Sequence, residues 1–174
     1  MRPLARIALV SALVVVALTS LPRAARADVL PAGALGAHVL IEPGGHVGGG
    51  LLLDVLQPLG MLRLGFAMGV TAIPSDNSDG RVYVPLLASG ALVLGHEGVS
   101  LALRLRGGAW AGAVKSGLAG GGMLMAGVHL RYGTDERVAF TLGVDLVREW
   151  GHGDRLFWAP TLGLAWALGS EDAP

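Results

Sequence analysis

The sequence predicts an all-β fold, an eight-stranded antiparallel up-and-down transmembrane β-barrel, and three observations support it. Large apolar residues alternate with small or polar residues through eight successive segments, which is the period of a β-strand. Glycine, proline and short polar runs separate these segments, so neighbouring strands should be antiparallel. No stretch after residue 27 contains about 18 consecutive apolar residues, so helices that span a membrane are not expected.

The clearest segment is 137–148, with the sequence RVAFTLGVDLVR. Its large apolar side chains share one face, namely Val138, Phe140, Leu142, Val144 and Leu146. The opposite face carries small and polar residues, namely Arg137, Ala139, Thr141, Gly143 and Asp145. Side chains two residues apart lie on the same side of a strand, so this pattern predicts a strand with one apolar face.

Seven other segments show the same alternation. Pro85 weakens one of them, because proline removes a hydrogen-bond donor from the sheet. Gly107-Gly108 permits a bulge in another, which leaves open the side-chain phase beyond it. The predicted ranges are 36–42, 46–56, 61–73, 81–95, 99–114, 120–132 and 156–168.

The large apolar faces are predicted to point at lipid. The opposite faces are rich in glycine, alanine, serine and threonine, which suits the narrow interior of an eight-stranded barrel. Trp158 and Trp166 share a face roughly 20 Å apart along the membrane normal, close to the spacing of two interfacial girdles. The alternative is that both belong to the core of a soluble periplasmic barrel that binds an apolar ligand. The predicted interfacial aromatics are Tyr132, Trp150, Trp158 and Trp166.

Residues 1–27 have the layout of a secretory signal peptide: basic Arg2 and Arg6, an apolar run, and Ala25-Arg26-Ala27 at its end. The chain would then divide into a lead-in at 28–35, the barrel at 36–169 and a tail at 170–174. The whole chain has 13 basic and 13 acidic residues. Cleavage of the signal peptide would remove four basic residues and no acidic residue. The remaining chain is then mildly acidic, so no nucleic-acid partner is expected. There is no cysteine to form a disulfide.

The signal peptide, the eight alternating segments and the aromatic strand ends together resemble the small eight-stranded outer-membrane barrels of the OmpA/OmpX type. The resemblance covers most of 36–168. It implies an outer-membrane location, contact with outer-membrane lipid and insertion by the barrel-assembly machinery. The oligomeric state stays open, with a monomer as the favoured expectation. It rests on architecture without a short motif, so it transfers no functional residue.

Charged residues on the small faces form the most suggestive group. Opposite charges in a low-dielectric interior should pair, so we expect a structural network that closes the lumen. The alternative is a path for small solutes or a gated pore. Replacing Arg104 or Asp145 with alanine should lower barrel stability. The predicted interior network consists of Glu42, Asp54, Arg63, Arg104, Arg106, Arg131 and Asp145.

No cofactor and no metal site are predicted, because the five histidines form no His-x-His or His-Glu-x-x-His pattern. The favoured function is therefore a non-enzymatic envelope barrel. The second hypothesis is an outer-membrane lipid-modifying enzyme, although no nucleophile-elbow sequence is present. Its candidate residues near one rim are Ser75, Ser78, Ser116, His46 and His152.

Overall fold

The computed structural model describes residues 32–74, 80–96, 98–133 and 138–167. Eight strands form one closed barrel in which each strand pairs with the next, and β1 pairs with β8. No helix in these ranges is long and apolar enough to cross a membrane. The predicted signal peptide, the predicted tail and Arg137 lie outside the described residues. The strands are β1 Ala32–Ile41, β2 Val47–Leu59, β3 Leu62–Ile73, β4 Arg81–His96, β5 Val99–Val114, β6 Gly117–Tyr132, β7 Val138–Trp150 and β8 Arg155–Ala167.

The pairing register stays constant along every pair of neighbouring strands. Gly107 and Gly108 pair in sequence with Leu124 and Met123, so no bulge occurs there and the side-chain phase continues to Val114. Pro85 has a different effect. The pairing of β3 with β4 is interrupted at Pro85, between the pairs Met68–Leu86 and Thr71–Tyr83, and resumes in the same register.

Four strands extend at least two residues beyond a predicted end, and one of them is β2, which continues to Leu59 instead of ending at 56. Strand β1 begins at Ala32, because residues 32–35 pair with both β2 and β8. The predicted lead-in at 28–35 is therefore wrong for its last four residues. Strand β6 begins at Gly117, and β7 continues to Trp150. Glycines and polar residues at these ends hide the alternation, whereas hydrogen bonding to a neighbouring strand extends the ladder through them.

The large apolar faces point outward and the small faces point inward. On β7, Phe140 and Leu142 are 62% and 61% exposed, whereas Ala139 on the other face is 2% exposed. The same division holds on β3, where Phe66 and Met68 are exposed. A soluble barrel would bury such residues, so this arrangement opposes the soluble, ligand-binding alternative and suits a lipid-facing band.

The four predicted interfacial aromatics all lie on the outer surface. We call the end where β1 begins and β8 ends the terminal end, and the other end the opposite end. Tyr132 and Trp166 lie near the terminal end, and Trp150 and Trp158 lie near the opposite end. The rings of Trp150 and Trp166 rest against glycines of neighbouring strands, because a Cβ on the partner glycine would lie within 2.9 Å of each ring.

An apolar layer crosses the lumen nearer the opposite end. Its members are almost fully buried, and they include the aromatic ring of Phe157 on β8. This layer separates two groups of polar side chains. It contains Leu40, Leu52, Ile73, Leu87, Met123, Met125, Val147 and Phe157.

Candidate functional site

Arg106 on β5 is the centre of a buried polar network that spans the lumen. Its Nε and Nη2 donate to the two carboxylate oxygens of Asp54 on β2, at 3.1 and 2.9 Å. Its Nη1 donates to Asp145 on β7 at 3.3 Å. The flat guanidinium group thus joins two carboxylates on opposite sides of the barrel, which its fixed fork of donors allows. Ser89 on β4 donates to Asp54 at 2.8 Å.

Asp145 gathers further partners from β6 and β8. Thr161 donates to its Oδ2 at 3.1 Å, and Nε2 of His129 lies 3.0 Å from its Oδ1. Glycines on the neighbouring strands provide the space. A Cβ at Gly127 would lie 2.2 Å from Asp145 Oδ1, and a Cβ at Gly143 would lie 2.4 Å from Nδ1 of His129. We call Asp54, Ser89, Arg104, Arg106, His129, Asp145 and Thr161 the central network.

A second buried cluster closes the opposite end of the lumen. Glu149 on β7 accepts hydrogen bonds from Arg81 and from the hydroxyl of Tyr83, both on β4. The guanidinium carbon of Arg81 lies 5.5 Å from the ring centres of both Tyr83 and Trp110. A cation above aromatic faces gains additional stabilisation when water is excluded. We call Arg81, Tyr83, Trp110 and Glu149 the opposite-end cluster.

Glu42 does not join the central network, so this part of the sequence prediction is wrong. It lies just after β1, where its carboxylate is 2.9 Å from Nδ1 of His46 and 3.6 Å from Nη1 of Arg155. The alternation placed Glu42 on the correct side of the strand. Its height along the barrel axis, beyond the end of β1, decides that it meets Arg155 of β8 instead of the predicted arginines.

A recess opens at the terminal end, and arginines line it. Arg63 is the second residue of β3, and Arg131 is the next-to-last residue of β6, so both lie at the rim. Arg104 and His129 form the deeper wall towards the central network. The remaining lining is mostly alanine and glycine, and the enclosed volume is about 20 Å³. A volume of this size holds one or two water molecules.

The structure therefore brings together four of the seven predicted network residues: Asp54, Arg104, Arg106 and Asp145. Arg63 and Arg131 face inward as predicted, but no ion pair joins either to a carboxylate of the described residues. Sequence reasoning missed the cluster around Glu149. The alternation of residues contains a signal for this cluster. It places Glu149 on the same side of β7 as Asp145, and Arg81 on the same side of β4 as Ser89.

The serine and histidine candidates of the enzyme hypothesis are only partly described. Ser75 and Ser78 lie outside the described residues. Ser116 is exposed in the turn between β5 and β6. His46 contacts Glu42, and the backbone carbonyl of His152 lies 3.5 Å from Nη1 of Arg81. Within the described part of the chain, no group of three or more His, Asp or Glu residues could hold a metal ion.

A closed, all-antiparallel barrel of eight strands, with large apolar residues outside and charged residues inside, has the fold of the small eight-stranded outer-membrane β-barrels. Several solved structures of such barrels match this chain over nearly their whole length. The outer membrane enzyme PagL has a TM-score of 0.57 at 12% identity, with 78% of this chain and 99% of that chain covered.

Two other solved barrels are similar to this chain. Neisserial surface protein A has a TM-score of 0.55 at 13% identity, over 80% of this chain and 97% of that chain. The N-terminal β-barrel domain of Pseudomonas aeruginosa OprF has a TM-score of 0.50 at 16% identity, over 79% and 97%. No protein-family model and no curated protein matches the sequence. Identities this low establish the fold and leave the activity open.

Proposed function

We propose that the protein is a non-enzymatic outer-membrane barrel with a structural role in the envelope, and that its lumen is closed to solutes. This proposal rests on the side chains that fill the lumen. The central network and the opposite-end cluster each reach across the interior, and the apolar layer lies between them. A solute would have to displace Phe157 and Leu40, which are 0% and 1% exposed, as well as break the contacts of Arg106.

The polar side chains inside the barrel also support a structural role. Arg106 forms ion pairs with Asp54 and Asp145. Glu149 forms an ion pair with Arg81 and accepts a hydrogen bond from Tyr83. Paired buried charges of this kind hold strands in one arrangement, since breaking a single pair leaves an unpaired charge in a low-dielectric interior.

Bilayer recording tests the closed lumen. Refolded protein inserted into a planar lipid bilayer should show no resolved conductance steps in salt solution. An Arg106→Ser plus Phe157→Ala variant, which removes the central bridge and part of the apolar layer, should conduct if it inserts. Steady conductance of the unaltered protein would show that the lumen is open and would overturn this part of the proposal.

Fractionation and lipid assays test location and catalysis. The protein should partition with the outer membrane, and it should run as a compact band on a gel without boiling and more slowly after boiling. Incubation with outer-membrane lipids should release no fatty acid above the level of a heated control. Release that disappears in Ser75→Ala, Ser78→Ala or Ser116→Ala would favour the enzyme hypothesis instead.

A further inference from the structure

We propose that the recess at the terminal end binds a small oxyanion of the phosphate class, held at the mouth of the barrel between Arg63 and Arg131. This inference goes beyond the structural role proposed above. It rests on the distribution of charge, on hydrogen-bond donors that have no partner, and on the shape of the recess.

Charge is the first argument. From the terminal end to the central network, the described inward-facing residues include four arginines and two aspartates: Arg63, Arg104, Arg106, Arg131, Asp54 and Asp145. Arg106 contacts both aspartates, and Arg104 has one longer contact, at 3.5 Å, with Asp54. Arg63, Arg104 and Arg131 all line the same recess, so three like charges share it. Surplus positive charge in a partly enclosed site favours an anion, because uncompensated buried charge is costly.

Unused hydrogen-bond donors are the second argument. The Nε atoms of Arg63 and Arg104 are buried and have no hydrogen-bond partner among the described residues. Buried polar groups normally have a partner, so such donors need an explanation. A tetrahedral oxyanion presents several acceptors at once, and a guanidinium group can meet two of them with parallel N–H donors.

The shape of the recess locates the anion at the mouth. Small residues make its walls, including Ala32 and Ala34 of β1 and Ala91 of β4. The enclosed part, about 20 Å³, is too small for a phosphate. The side chains of Arg63 and Arg131 at the rim are only partly buried, so an oxyanion can reach them from solvent while Arg104 adds its charge from below.

Carboxylates of this chain could compete for the same arginines. In the sequence, Glu97 lies between β4 and β5, and Asp135 and Glu136 lie between β6 and β7. These three residues lie outside the described ranges. The experiment must therefore separate an external anion from the acids of the connecting turns.

Phosphate titration of the refolded full chain in a zwitterionic detergent is the central test. A ligand that binds only the folded state raises the unfolding midpoint, and it does so more at higher concentration or affinity. We expect inorganic phosphate to raise the unfolding midpoint of the protein. We also expect the phosphorus NMR signal of the phosphate to broaden when it binds. The apparent affinity should fall at least about tenfold in Arg63→Gln plus Arg131→Gln, as the loss of charge-assisted hydrogen bonds requires. Arg148→Gln, which removes an exposed arginine at the other end, is the matched control and should bind as the unaltered protein does.

Two results would overturn the proposal. One is an equal effect of phosphate on the unfolding midpoints of the unaltered protein and of the double variant. The absence of any effect on either protein counts as this result. The other is phosphate binding that appears only after Glu97→Gln, Asp135→Asn and Glu136→Gln are combined, because the chain's own acids would then fill the recess. The conductance experiment does not depend on either result, so the proposed closed lumen stands or fails separately.

A second arm identifies the source of the oxyanion. The titration is repeated in nanodiscs of phosphatidylcholine alone and of phosphatidylcholine mixed with phosphatidylglycerol. Weaker binding of added phosphate in the anionic nanodiscs would assign the recess to a lipid headgroup. Equal binding in both would assign it to a free oxyanion in solution. Each outcome supports binding of the same chemical class.

Discussion

At the opposite end of the lumen, Arg81 and Arg155 each lie beside a glutamate, whereas at the terminal end Arg63 and Arg131 line one recess together. Arg81 pairs with Glu149, and Arg155 lies 3.6 Å from Glu42. The terminal-end arginines contact no carboxylate of the described residues and line an open recess. One barrel thus contains a region where buried charge is neutralised within the protein and a region where it is left available. Charges paired internally stabilise the fold, and a local surplus of one sign favours a ligand.

The largest effect is expected in the central network, which lies between the terminal recess and the apolar layer. Arg106→Ala leaves two carboxylates buried without their main partner and should lower the free energy of unfolding by about 3–5 kcal/mol. Arg104→Ala, on the same face two residues earlier, removes one long contact and should cost about 1 kcal/mol. Urea unfolding in detergent, followed by tryptophan fluorescence, measures both. Equal losses in the two variants would contradict the central position of Arg106.

The opposite-end cluster should respond to the loss of its acid. Glu149→Gln keeps a side chain of the same size but removes the charge that faces Arg81, so the free energy of unfolding should fall by about 2 kcal/mol. Glu42→Gln provides a comparison at the same end, where the carboxylate is less buried, and should cost less. The same unfolding experiment applies. An unchanged Glu149→Gln protein would show that the cluster does not balance charge.

Removing a charge at the terminal end should have the opposite effect on the free energy of unfolding. Arg63→Gln removes one of the like-charged arginines that line the recess, so in chloride alone the barrel should be unchanged or more stable by under about 1 kcal/mol. Added phosphate should reverse this order, because only the unaltered protein gains from binding. Unfolding midpoints with and without phosphate measure the reversal. A large loss of stability in chloride would mean that Arg63 has a partner within the chain.

The smallest effect concerns an exposed pair outside the lumen. Arg148 donates to both oxygens of Asp154 at 3.1 and 2.8 Å, which holds the pKa of the Asp154 carboxyl below its ordinary value of 3.8. A lowered folded-state pKa stabilises the protein above the ordinary value, and this stabilisation is lost as the pH falls through the lowered pKa. In Arg148→Ala, the carboxyl should titrate nearer its ordinary value, as carbon-detected NMR would show. An unshifted titration would mean that the pair does not persist in solution.

Much of the fold could be predicted from the alternation of residues. It indicated eight strands, the outward direction of residues such as Leu142, and the inward direction of Asp54 and Arg106. Strand ends were harder, because Ala32 and Gly117 show no contrast between faces. The register at Pro85 and Gly107 could not be predicted either. At Pro85 the pairing with β5 continues, and the pairing with β3 is interrupted and then resumes in the same register, whereas Gly107 stays paired on both sides.

The sequence by itself determined which side of the sheet each residue occupies, because that depends only on odd or even position along a strand. Only the tertiary structure decided which inward side chains meet. Arg106 and Asp54 are 52 residues apart and Arg81 and Glu149 are 68 apart, and each pair meets across the lumen. Those contacts depend on the stagger between strands and on closure of β1 against β8, which set the height of every side chain along the axis. The same stagger separates Glu42 from Arg63 and leaves the terminal end with its surplus of arginine.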